Sequence, residues 1–445
     1  MFTMLNIFNN EILLTIIAEW LEEQQLPALI PRSYASERIE NLRRILAIVG
    51  PRRSGKTYFM FQLIESLLKN SKYTKKDILF IDFEDYRLSN FTENTMDDLL
   101  AAFHQLAGKY PVFLFFDEIQ HLPNWNRVLR TLHNRRRFKI IVSGSNSKLL
   151  GSEVSTELRG RYEDILMLPF SFQEYLRYRN ISYTQSSLRT ASRGTIIAAF
   201  DDYSKHGGFP EVIIASSKFE RLKLLQNYFK SILYRDIIER YNIKARHLLD
   251  MIMNDVLNNY SSIFSISRFE KLLKGNSLPG SKRTISNYLQ YLREAFFIIV
   301  NDKFSYSARR RMMNPKKVYL TDTGFASIGH PFMENRGRIL ENIVAIELFR
   351  RENELYYFKN KKECDFIVKQ DSGLTTAIQV CWELNNRNEK REIDGLTEAC
   401  DSLNLKSGII LTYAQEGKRV AADKVISILP VWKWLLHPSA PLLSL

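Results

Sequence analysis

Residues 45–170 alternate short apolar runs with segments in which apolar residues recur at helical spacing. The runs are ILAIVG (45–50), ILFIDFE (78–84), VFLFFDE (112–118), KIIVSGS (139–145) and DILMLPF (164–170). They are mostly continuous rather than alternating, which is typical of strands buried on both faces of a parallel sheet. Because helical segments separate the strands, the pattern predicts an α/β fold with a doubly wound parallel sheet, whose ligands bind at the carboxyl ends of the strands.

The pattern changes after this region. We expect residues 190–260 to be mostly helical, and residues 261–325 to form two short helices and a hairpin, the outline of a winged helix-turn-helix. Residues 336–430 return to a mixed pattern, with the helix ILENIVAIELFRRE and the strands YYFKN, ECDFIVKQ, TAIQVCWEL and SGIILTY. The predicted segments are an N-terminal helical lead-in (1–39), an α/β core (40–185), a helical lid or linker (186–260), a winged-helix module (261–328) and a C-terminal α/β domain (329–445).

The N-terminus is apolar but is interrupted by acidic residues, namely Glu11, Glu19, Glu22 and Glu23. Its longest uncharged internal run, residues 12–18, is far shorter than the ~20 residues that a membrane span needs. We therefore predict an amphipathic helix that leads into the first strand, rather than a signal peptide or a membrane helix. On this basis we expect a cytoplasmic protein that does not act at a membrane.

Composition narrows the class of partner. The 445 residues include 63 Lys or Arg and 49 Asp or Glu, so the formal net charge is +14, an excess that favours a polyanionic partner. Only three cysteines occur, at positions 364, 381 and 400, and none has CxxC spacing. We therefore expect neither a disulfide framework nor a structural zinc site, and the low cysteine content fits a protein of a reducing compartment.

The strongest motif is GPRRSGKT at residues 50–57, which matches GxxxxGK[ST] and stands between a predicted strand and a predicted helix. Its glycines let backbone N–H groups surround phosphates, and the start of the following helix adds its dipole. We expect Lys56 to reach the β- and γ-phosphates of ATP and Thr57 to bind Mg²⁺. The expected ATP-binding residues are Gly50, Pro51, Arg52, Arg53, Ser54, Gly55, Lys56, Thr57 and Tyr58.

An acidic pair, Asp117 and Glu118, ends the apolar run VFLFFDE. An acid at the end of a buried strand is costly without a partner. We expect Mg²⁺ to be the partner of Asp117, and Glu118 to orient and deprotonate the attacking water. An adjacent pair of this kind is typical of ATPases that hydrolyse their nucleotide.

Two further segments could complete such a site. Ser145 and Asn146 follow the fourth apolar run, where they could contact the γ-phosphate or the attacking water, or instead cap the next helix. Arg159 or Arg161, in LRGRY, could reach the γ-phosphate of a neighbouring subunit in a homo-oligomer, or could serve only as a solvated surface charge. The sequence does not choose between the two arginines.

These motifs together resemble a family of archaeal and bacterial AAA-type ATPases that carry a C-terminal domain of unknown function. The resemblance rests on GPRRSGKT, IDFEDYRL, FLFFDEIQHLPNW, IVSGSNSKLL and ELRGRYEDILMLPFSFQEYL, in that order. It continues through GGFPEV (207–212), SILYRDIIERYNI (231–243), VYLTDTGF (318–325) and the segment ECDFIV…IQVCWEL, and spans about residues 40 to 430. It implies an ATPase core, a winged-helix module and a terminal nuclease-like fold.

Residues 268–317 carry much of the basic excess, with twelve Lys or Arg against three acids. Such clusters neutralise phosphates and bind nucleic acid in a salt-sensitive way. We expect DNA binding through two groups, the start of the second helix and the wing, although a protein-docking module with a solvated basic face is the alternative. The expected DNA-binding residues are Lys282, Arg283, Arg309, Arg310, Arg311, Lys316 and Lys317.

The terminal segment resembles a PD-(D/E)XK nuclease in the order of its polar residues. Glu341 lies on a predicted helix, Asp365 on a strand and Gln379 on the next strand. In active enzymes of that type the acids hold Mg²⁺ and a lysine activates water, but here Cys381 stands at the lysine position. We therefore expect a degenerate site used for DNA docking or oligomer contacts, unless Lys359, Lys361 or Lys362 takes the missing place.

The sequence thus predicts a Mg²⁺-dependent ATPase that couples ATP hydrolysis to binding or remodelling of DNA, in a homo-oligomer. Two alternatives from other classes remain open. One is a nucleotide-switched protein that docks a protein partner, in regulation or defence. The other is an ATP-gated nuclease.

Overall fold

The computed structural model describes residues 2–23, 25–34, 36–147, 158, 160–184, 192–329, 335–370, 373–421 and 423–437. The chain divides into two compact units, residues 1–167 and 168–445. Among the described residues, none of the helices is both long and apolar enough to pass through a membrane.

The first unit contains a five-stranded sheet of order β2-β3-β4-β1-β5. All four strand pairs are parallel, so the predicted α/β parallel sheet is confirmed. Every residue of β1 and β3 is buried, as continuous apolar runs require. The strands are β1 (Ile45–Val49), β2 (Ile78–Asp82), β3 (Phe113–Asp117), β4 (Lys139–Gly144) and β5 (Tyr162–Leu166).

Four helices of this unit are α1 (Phe2–Glu22), α2 (Lys56–Lys69), α3 (Met96–Ala107) and α4 (Trp125–Asn134). The first confirms the predicted N-terminal helix, and its Trp20 Nε1 donates to the carbonyl of Ile78 at 2.7 Å. Helix α3 has Asp97 and Asp98 in its first turn and ends at Ala107, and the following Gly108 takes a left-handed conformation with φ 76°. Acids near the start and glycine after the end are the expected signals for a helix of this length.

The last strand of the sheet differs from its prediction. The apolar run at 164–170 suggested a strand there, but β5 begins two residues earlier and ends at Leu166. Strand β5 pairs with β1 through Val49↔Leu166, so its ladder ends where β1 turns into the glycine loop. Leu168 and Phe170 are nevertheless buried. The apolar run therefore correctly indicated burial, but it did not indicate where the strand ends.

The second unit begins with helices, as the sequence predicts for residues 190–260. Its sheet has nine strands in the order β13-β14-β12-β11-β10-β9-β7-β8-β6. The helices are α5 (Phe172–Tyr178), α6 (Ser192–His206), α7 (Pro210–Ile214), α8 (Lys218–Ser231), α9 (Arg246–Asn258), α10 (Ile266–Gly275), α11 (Lys282–Glu294), α12 (Ala308–Met313), α13 (Arg336–Arg350), α14 (Glu389–Leu403) and α15 (Val431–Leu435). Helix α8 continues directly into a π-helix, Ile232–Glu239.

The strands of this sheet confirm the predicted hairpin and the four predicted C-terminal strands, and add two at the end of the chain. They are β6 (Ser262–Phe264), β7 (Ile298–Lys303), β8 (Lys316–Leu320), β9 (Glu354–Lys359), β10 (Glu363–Gln370), β11 (Gly373–Val380), β12 (Ser407–Thr412), β13 (Gly417–Ala421) and β14 (Lys424–Pro430). Strands β6, β8 and β7 pair antiparallel. Strand β7 then pairs parallel with β9, through Asp302↔Tyr356 and Lys303↔Tyr357, so one sheet crosses the predicted boundary at residues 328–329. The five-segment division itself stays a prediction.

Two of the segments that carry the family resemblance, GGFPEV and VYLTDTGF, meet around Asp322. Its carboxylate accepts from the backbone N–H of Gly208 at 2.7 Å and of Gly324 at 2.8 Å. A Cβ at Gly207 would lie 1.7 Å from Asp322 Oδ1, and the φ of Gly207 is +77°. The GGFPEV and VYLTDTGF segments are thus structural: they bind each other inside the second unit.

Candidate functional site

The glycine loop lies between β1 and α2, at the carboxyl edge of the parallel sheet. A Cβ at Gly50 would lie 2.1 Å from the carbonyl oxygen of Met167, so backbone fills the space a side chain would need. Gly55 precedes α2 with φ 94°, in the left-handed region, and Arg53 has φ 65°. Glycine therefore occupies the position where the loop turns, Gly55, and the position where the backbone packs against its neighbour, Gly50.

Lys56 and Thr57 open α2 and face the acidic pair at the end of β3. The Thr57 hydroxyl donates to Asp117 Oδ2 at 2.6 Å. Lys56 is 3% exposed, and its ammonium donates to the carbonyl of Pro51 at 3.1 Å and lies 3.3 Å from Glu118 Oε1. The structure thus brings together four of the predicted residues, two from the loop and two from the neighbouring part of the sheet edge.

The two acids differ in their electrostatic environment. Burial, and then the adjacent Glu118, raises the pKa of Asp117 to about 6. Burial is the largest influence on Glu118 and opposes its ionisation, but the Lys56 ammonium, the Gln120 hydrogen bond and the Arg52 charge together lower the pKa of Glu118 below its usual value. A buried carboxyl beside a second acid, with a threonine hydroxyl at hand, is the hard oxygen donor set that suits Mg²⁺.

Side chains and backbone from β4 hold the acidic pair in place. Ser143 Oγ donates to Asp117 Oδ1 and accepts from the backbone N–H of Glu118 at 3.0 Å. The backbone N–H of Ser145 donates to Glu118 Oε2 at 3.2 Å, and Gln120 Nε2 donates to the same carboxylate. Ser145 and Asn146 are buried and lie at this edge of the sheet. Their predicted contact with the γ-phosphate or the water stays a prediction.

The two predicted arginines are placed differently. Arg159 lies outside the described residues. The backbone carbonyl of Arg161 accepts from the N–H of Ile45 at 2.7 Å, so Arg161 lies at the amino-terminal edge of β1. The five residues of β1 separate it by roughly 16 Å from the glycine loop.

Sequence reasoning missed two groups around the loop. Arg32, 5% exposed, donates from Nη1 to the carbonyl of Ser54 at 2.9 Å, although it precedes the predicted core. Glu84 accepts from Arg52 at 2.7 Å and lies 3.5 Å from His121. His121 and then Arg52 lower the pKa of Glu84 to about 2. Glu84 follows the end of β2, so the rule that sites form at carboxyl ends of parallel strands could have found it; nothing in the sequence pointed to Arg32.

The basic residues of 268–317 separate into exposed and internally bonded groups. Lys282 and Arg283 are exposed in the first turn of α11, and Arg309 and Arg310 are exposed on α12, which lies in the β7–β8 connection. By contrast, Arg311 donates to the carbonyl of Ser305 at 2.6 Å. Lys316 lies 2.6 Å from Asp302 Oδ1 and donates to the carbonyl of Arg311 at 2.7 Å. The DNA-binding role of these six residues stays a prediction.

The prediction for Lys317 is wrong. This residue is 3% exposed, and side chains of a strand alternate between its two faces. Val318 and Leu320 pack into the core of surrounding helices, whereas Lys317 and Tyr319 occupy the other face of β8. There the Lys317 ammonium lies 2.8 Å from Glu341 Oε1, 2.8 Å from Asp365 Oδ1 and 3.1 Å from Glu363 Oε1, so it cannot serve as an exposed contact for DNA.

Lys317 brings together two of the three predicted nuclease-like residues, Glu341 and Asp365. The third, Gln379, accepts from the backbone N–H of Asp365 at 3.2 Å and donates to Glu392 at 2.6 Å. Cys381, at the position expected to be lysine, has its pKa raised to about 12 by burial. Of the three lysines considered for the missing place, Lys359 reaches Glu363 at 2.9 Å.

The signal that could have found Lys317 was available in the sequence. The segment KKVYL places two adjacent lysines on one strand, and adjacent strand residues point to opposite faces. Glu363 was overlooked because it precedes the predicted strand acid by two positions. In the part of the chain that the structure describes, no group of three or more His, Cys, Asp or Glu side chains is arranged to hold a metal ion.

Among solved structures, the chain resembles the Walker-type ATPase PABY2304 of Pyrococcus abyssi. The TM-score is 0.42 and the sequence identity 15%, over 68% of this chain and 98% of that one. It also resembles the signal transduction ATPase PH0952 of Pyrococcus horikoshii, a protein with a tetratricopeptide repeat sensor. There the TM-score is 0.27 and the identity 12%, over 74% of this chain and 47% of that one.

Sequence comparison covers more of the chain. Residues 42–176 match the model of an AAA domain, and residues 197–329 and 336–434 match two domains of unknown function. The uncharacterized protein MJ1544 of Methanocaldococcus jannaschii is 36% identical over 435 residues, 95% of this chain and 94% of that protein. An uncharacterized protein of Haemophilus influenzae is 28% identical over 88% of this chain and 94% of its own length.

Proposed function

The chain belongs to the same family as the Methanocaldococcus protein MJ1544 and carries an AAA-type P-loop domain, and from that domain's geometry we propose that it binds ATP with Mg²⁺ and hydrolyses the nucleotide. One observation carries the proposal. Thr57 bonds Asp117 at 2.6 Å, and Lys56 lies 3.3 Å from Glu118. A phosphate-binding loop and an acidic pair therefore meet at one edge of the sheet.

Each of the four side chains has a distinct role in this proposal. Thr57 and Asp117 would hold Mg²⁺, which when bound offsets phosphate charge and polarises the phosphoryl oxygens. Lys56 binds the β- and γ-phosphates as a point charge. Glu118 is ionised, since Lys56 lowers its pKa, so it can accept a hydrogen bond or a proton from the attacking water.

The test is ATP turnover by the full chain, with the wild type beside Glu118→Gln. We expect the variant to bind ATP and to lose about 10²-fold or more in turnover, because the amide keeps the shape but not the basicity. Gln120→Ala is the matched control, since Gln120 only supports Glu118, and we expect a smaller loss. Equal turnover by wild type and Glu118→Gln would contradict the proposal.

We further propose that DNA couples to this turnover through the second unit. Helix α9, strand β6, helices α10 and α11 and the β7–β8 pair follow one another in the order of a winged helix. Lys282 and Arg283 are exposed at the start of α11, and Arg309 and Arg310 on the connection after β7. In a winged helix these are the recognition helix and the wing, so the cations would face the groove and the phosphate backbone.

Turnover at low salt, with and without duplex or branched DNA, tests the coupling. We expect DNA to raise turnover and Arg283→Ala to reduce the rise. Turnover that is lost in Glu118→Gln but does not change when DNA is added would support ATP hydrolysis and contradict the coupling to DNA. A protein partner for the nucleotide-switched unit would then be the next candidate.

We also propose a homo-oligomer, and the position of Arg161 supports this proposal. Its backbone lies at the edge of the sheet opposite the glycine loop, so an Arg161 that contacts a γ-phosphate does so in another copy of the chain. Mixing Arg161→Ala with Lys56→Ala tests this, because each variant lacks a different half of a shared site. We expect partial recovery of turnover in the mixture; no recovery would contradict a shared site.

A further inference from the structure

The second unit contains a buried charge cluster centred on the Lys317 ammonium. Its three carboxylate partners are Glu341 on α13 and Glu363 and Asp365 on β10, at 2.8, 3.1 and 2.8 Å. Lys317 lies on β8, which is not a neighbour of β10 in the sheet. The lysine therefore connects β8 to β10 and α13 through its side chain, although β8 does not pair with β10.

The Lys317 ammonium has a carboxylate partner for each of its hydrogen-bond donors. A lysine ammonium has three N–H donors and no acceptor, and Lys317 has three carboxylate partners. Each carboxylate also accepts from a second donor. These donors are the Tyr319 hydroxyl to Glu341 at 2.8 Å, the Val380 N–H to Asp365 at 2.9 Å and the Lys359 ammonium to Glu363 at 2.9 Å.

The charges keep the ammonium ionised. Burial is the largest single influence and lowers the pKa of Lys317, but Asp365, Glu341, Tyr319 and Glu363 together hold that pKa well above its usual value. Burial, and then Asp365, raises the pKa of Glu341 to about 8. The buried ammonium is thus surrounded by carboxyl groups that hydrogen-bond it, as a buried charge requires.

We propose that these carboxylates form a cation site whose resident cation is the Lys317 ammonium, so that the wild-type chain takes no divalent metal ion there. Mg²⁺ needs oxygen ligands at about 2.0–2.1 Å, whereas these oxygens stand at ammonium hydrogen-bond distances. The neighbouring groups do not supply replacements, because Gln379 bonds Glu392 and Cys381 is a neutral thiol. The terminal part of the chain therefore holds its strands together instead of cleaving phosphodiesters.

The proposal predicts what happens when the internal cation is removed. Lys317→Met keeps most of the side-chain volume and leaves three carboxyl groups around an uncharged chain. We expect the midpoint of thermal unfolding to fall by roughly 10 °C, since a buried ion pair has lost one partner. We also expect Mn²⁺ to raise it again, because a divalent ion can now occupy the position of the ammonium.

The experiment is a Mn²⁺ titration of the full chain without nucleotide, followed by electron paramagnetic resonance and by thermal unfolding. Wild type is compared with Lys317→Met, Asp365→Asn, Lys317→Met/Asp365→Asn and Lys316→Met. Lys316 is the matched control, because it is the neighbouring lysine of the same strand and pairs with the single carboxylate of Asp302. We expect one additional bound Mn²⁺ in Lys317→Met only.

Two results would overturn the proposal. One is Mn²⁺ bound by the wild type in a way that Asp365→Asn abolishes, which together with Mg²⁺-dependent DNA cleavage would indicate an active nuclease. The other is a folded Lys317→Met that gains no Mn²⁺. If Lys317→Met does not fold, the wild-type titration decides, because Asp365-dependent Mn²⁺ binding contradicts the proposal and its absence supports it.

Discussion

The hydroxyl of Thr57 donates a hydrogen bond of 2.6 Å to the carboxylate of Asp117, sixty positions further along the chain. Thr57 is fixed by the first turn of α2, and Asp117 by the last residue of β3. Because α2 begins and β3 ends at the same edge of the sheet, the two oxygens lie next to each other, where both could bind one metal ion. This pair is the part of the nucleotide site most directly open to test.

Thr57→Ala removes one of the two proposed Mg²⁺ ligands and leaves Asp117 with one hydroxyl partner, Ser143, instead of two. We expect the affinity for Mg²⁺ in the presence of ATP to fall about tenfold or more. The midpoint of thermal unfolding should change little. Isothermal titration at varied Mg²⁺ measures the affinity. Thr131→Ala is the control, because Thr131 is a helical threonine whose hydroxyl bonds the carbonyl of Arg127 in its own helix. An equal effect in both variants would contradict the role of Thr57.

Gly50→Ala should damage the loop for a steric reason. The added Cβ would lie 2.1 Å from the carbonyl oxygen of Met167, and since that neighbour is backbone, β1 or the following loop must shift. We expect a loss of about 1–3 kcal/mol in the free energy of unfolding and weaker ATP binding. Chemical denaturation and nucleotide titration provide the two measurements.

Gly194→Ala is the matched control for this substitution. Gly194 lies in α6, and a Cβ there meets nothing within 4 Å. We expect this variant to be as stable as the wild type or more stable by up to about 1 kcal/mol, since alanine favours helix. Destabilisation of both variants alike would show that the close approach at Gly50 does not matter.

Asp322 predicts how stability depends on pH. Burial raises the pKa of Asp322 to about 7 in the folded chain, whereas an unperturbed aspartate has a pKa of about 3.9. The folded state therefore binds a proton between these values that the unfolded state has released, so the contribution of Asp322 to stability falls as the pH rises from about 4 to 7. Above pH 7 the contribution is constant.

Asp322→Asn cannot titrate and should lack this component. We expect the variant to be less stable than the wild type throughout, because its amide NH₂ faces one of the two backbone N–H donors. The difference between the two proteins should shrink as the pH rises through the window. Urea denaturation at several pH values measures it, and a difference that is constant across the window would contradict the raised pKa of Asp322.

The exposed arginines of α12 predict the salt dependence of DNA binding. Removing both charges in Arg309→Ala/Arg310→Ala should weaken binding and reduce the slope of log affinity against log salt by about two. The control Lys390→Ala/Lys406→Ala removes two exposed charges from another part of the second unit. Fluorescence anisotropy at several salt concentrations gives both slopes. The same reduction in both variants would point to net charge rather than a defined surface.

Much of the nucleotide site was predictable because it depends on local sequence. A continuous apolar run, a glycine loop and an acidic pair each give a signal within a few residues, and the parallel topology brings the strand ends together. Lys56, Thr57, Asp117 and Glu118 therefore meet as the motif spacing suggested. Arg32 could not be found in this way, because its contact with the Ser54 carbonyl depends on the path of the chain before β1.

The second unit was harder because its cluster is assembled from distant elements. Charge density suggested that Lys316 and Lys317 share one exposed surface, yet strand alternation sends them to opposite environments. The sequence showed that the usual lysine position holds Cys381, but which lysine lies near Asp365 depends on a sheet that continues from β8 to β10. Such pairing is a long-range property, so no local pattern reveals it.

The pairing of β7 with β9 has a consequence for modularity. A gene fragment cut at the junction of the two domains of unknown function would encode β9 with β10 but without its other neighbour β7, and a strand edge exposed in this way promotes aggregation. The C-terminal fragment would also bury Glu341, Glu363 and Asp365 without the Lys317 ammonium that pairs with them. We therefore expect the two halves of the second unit to fold as one piece rather than as separate, exchangeable domains.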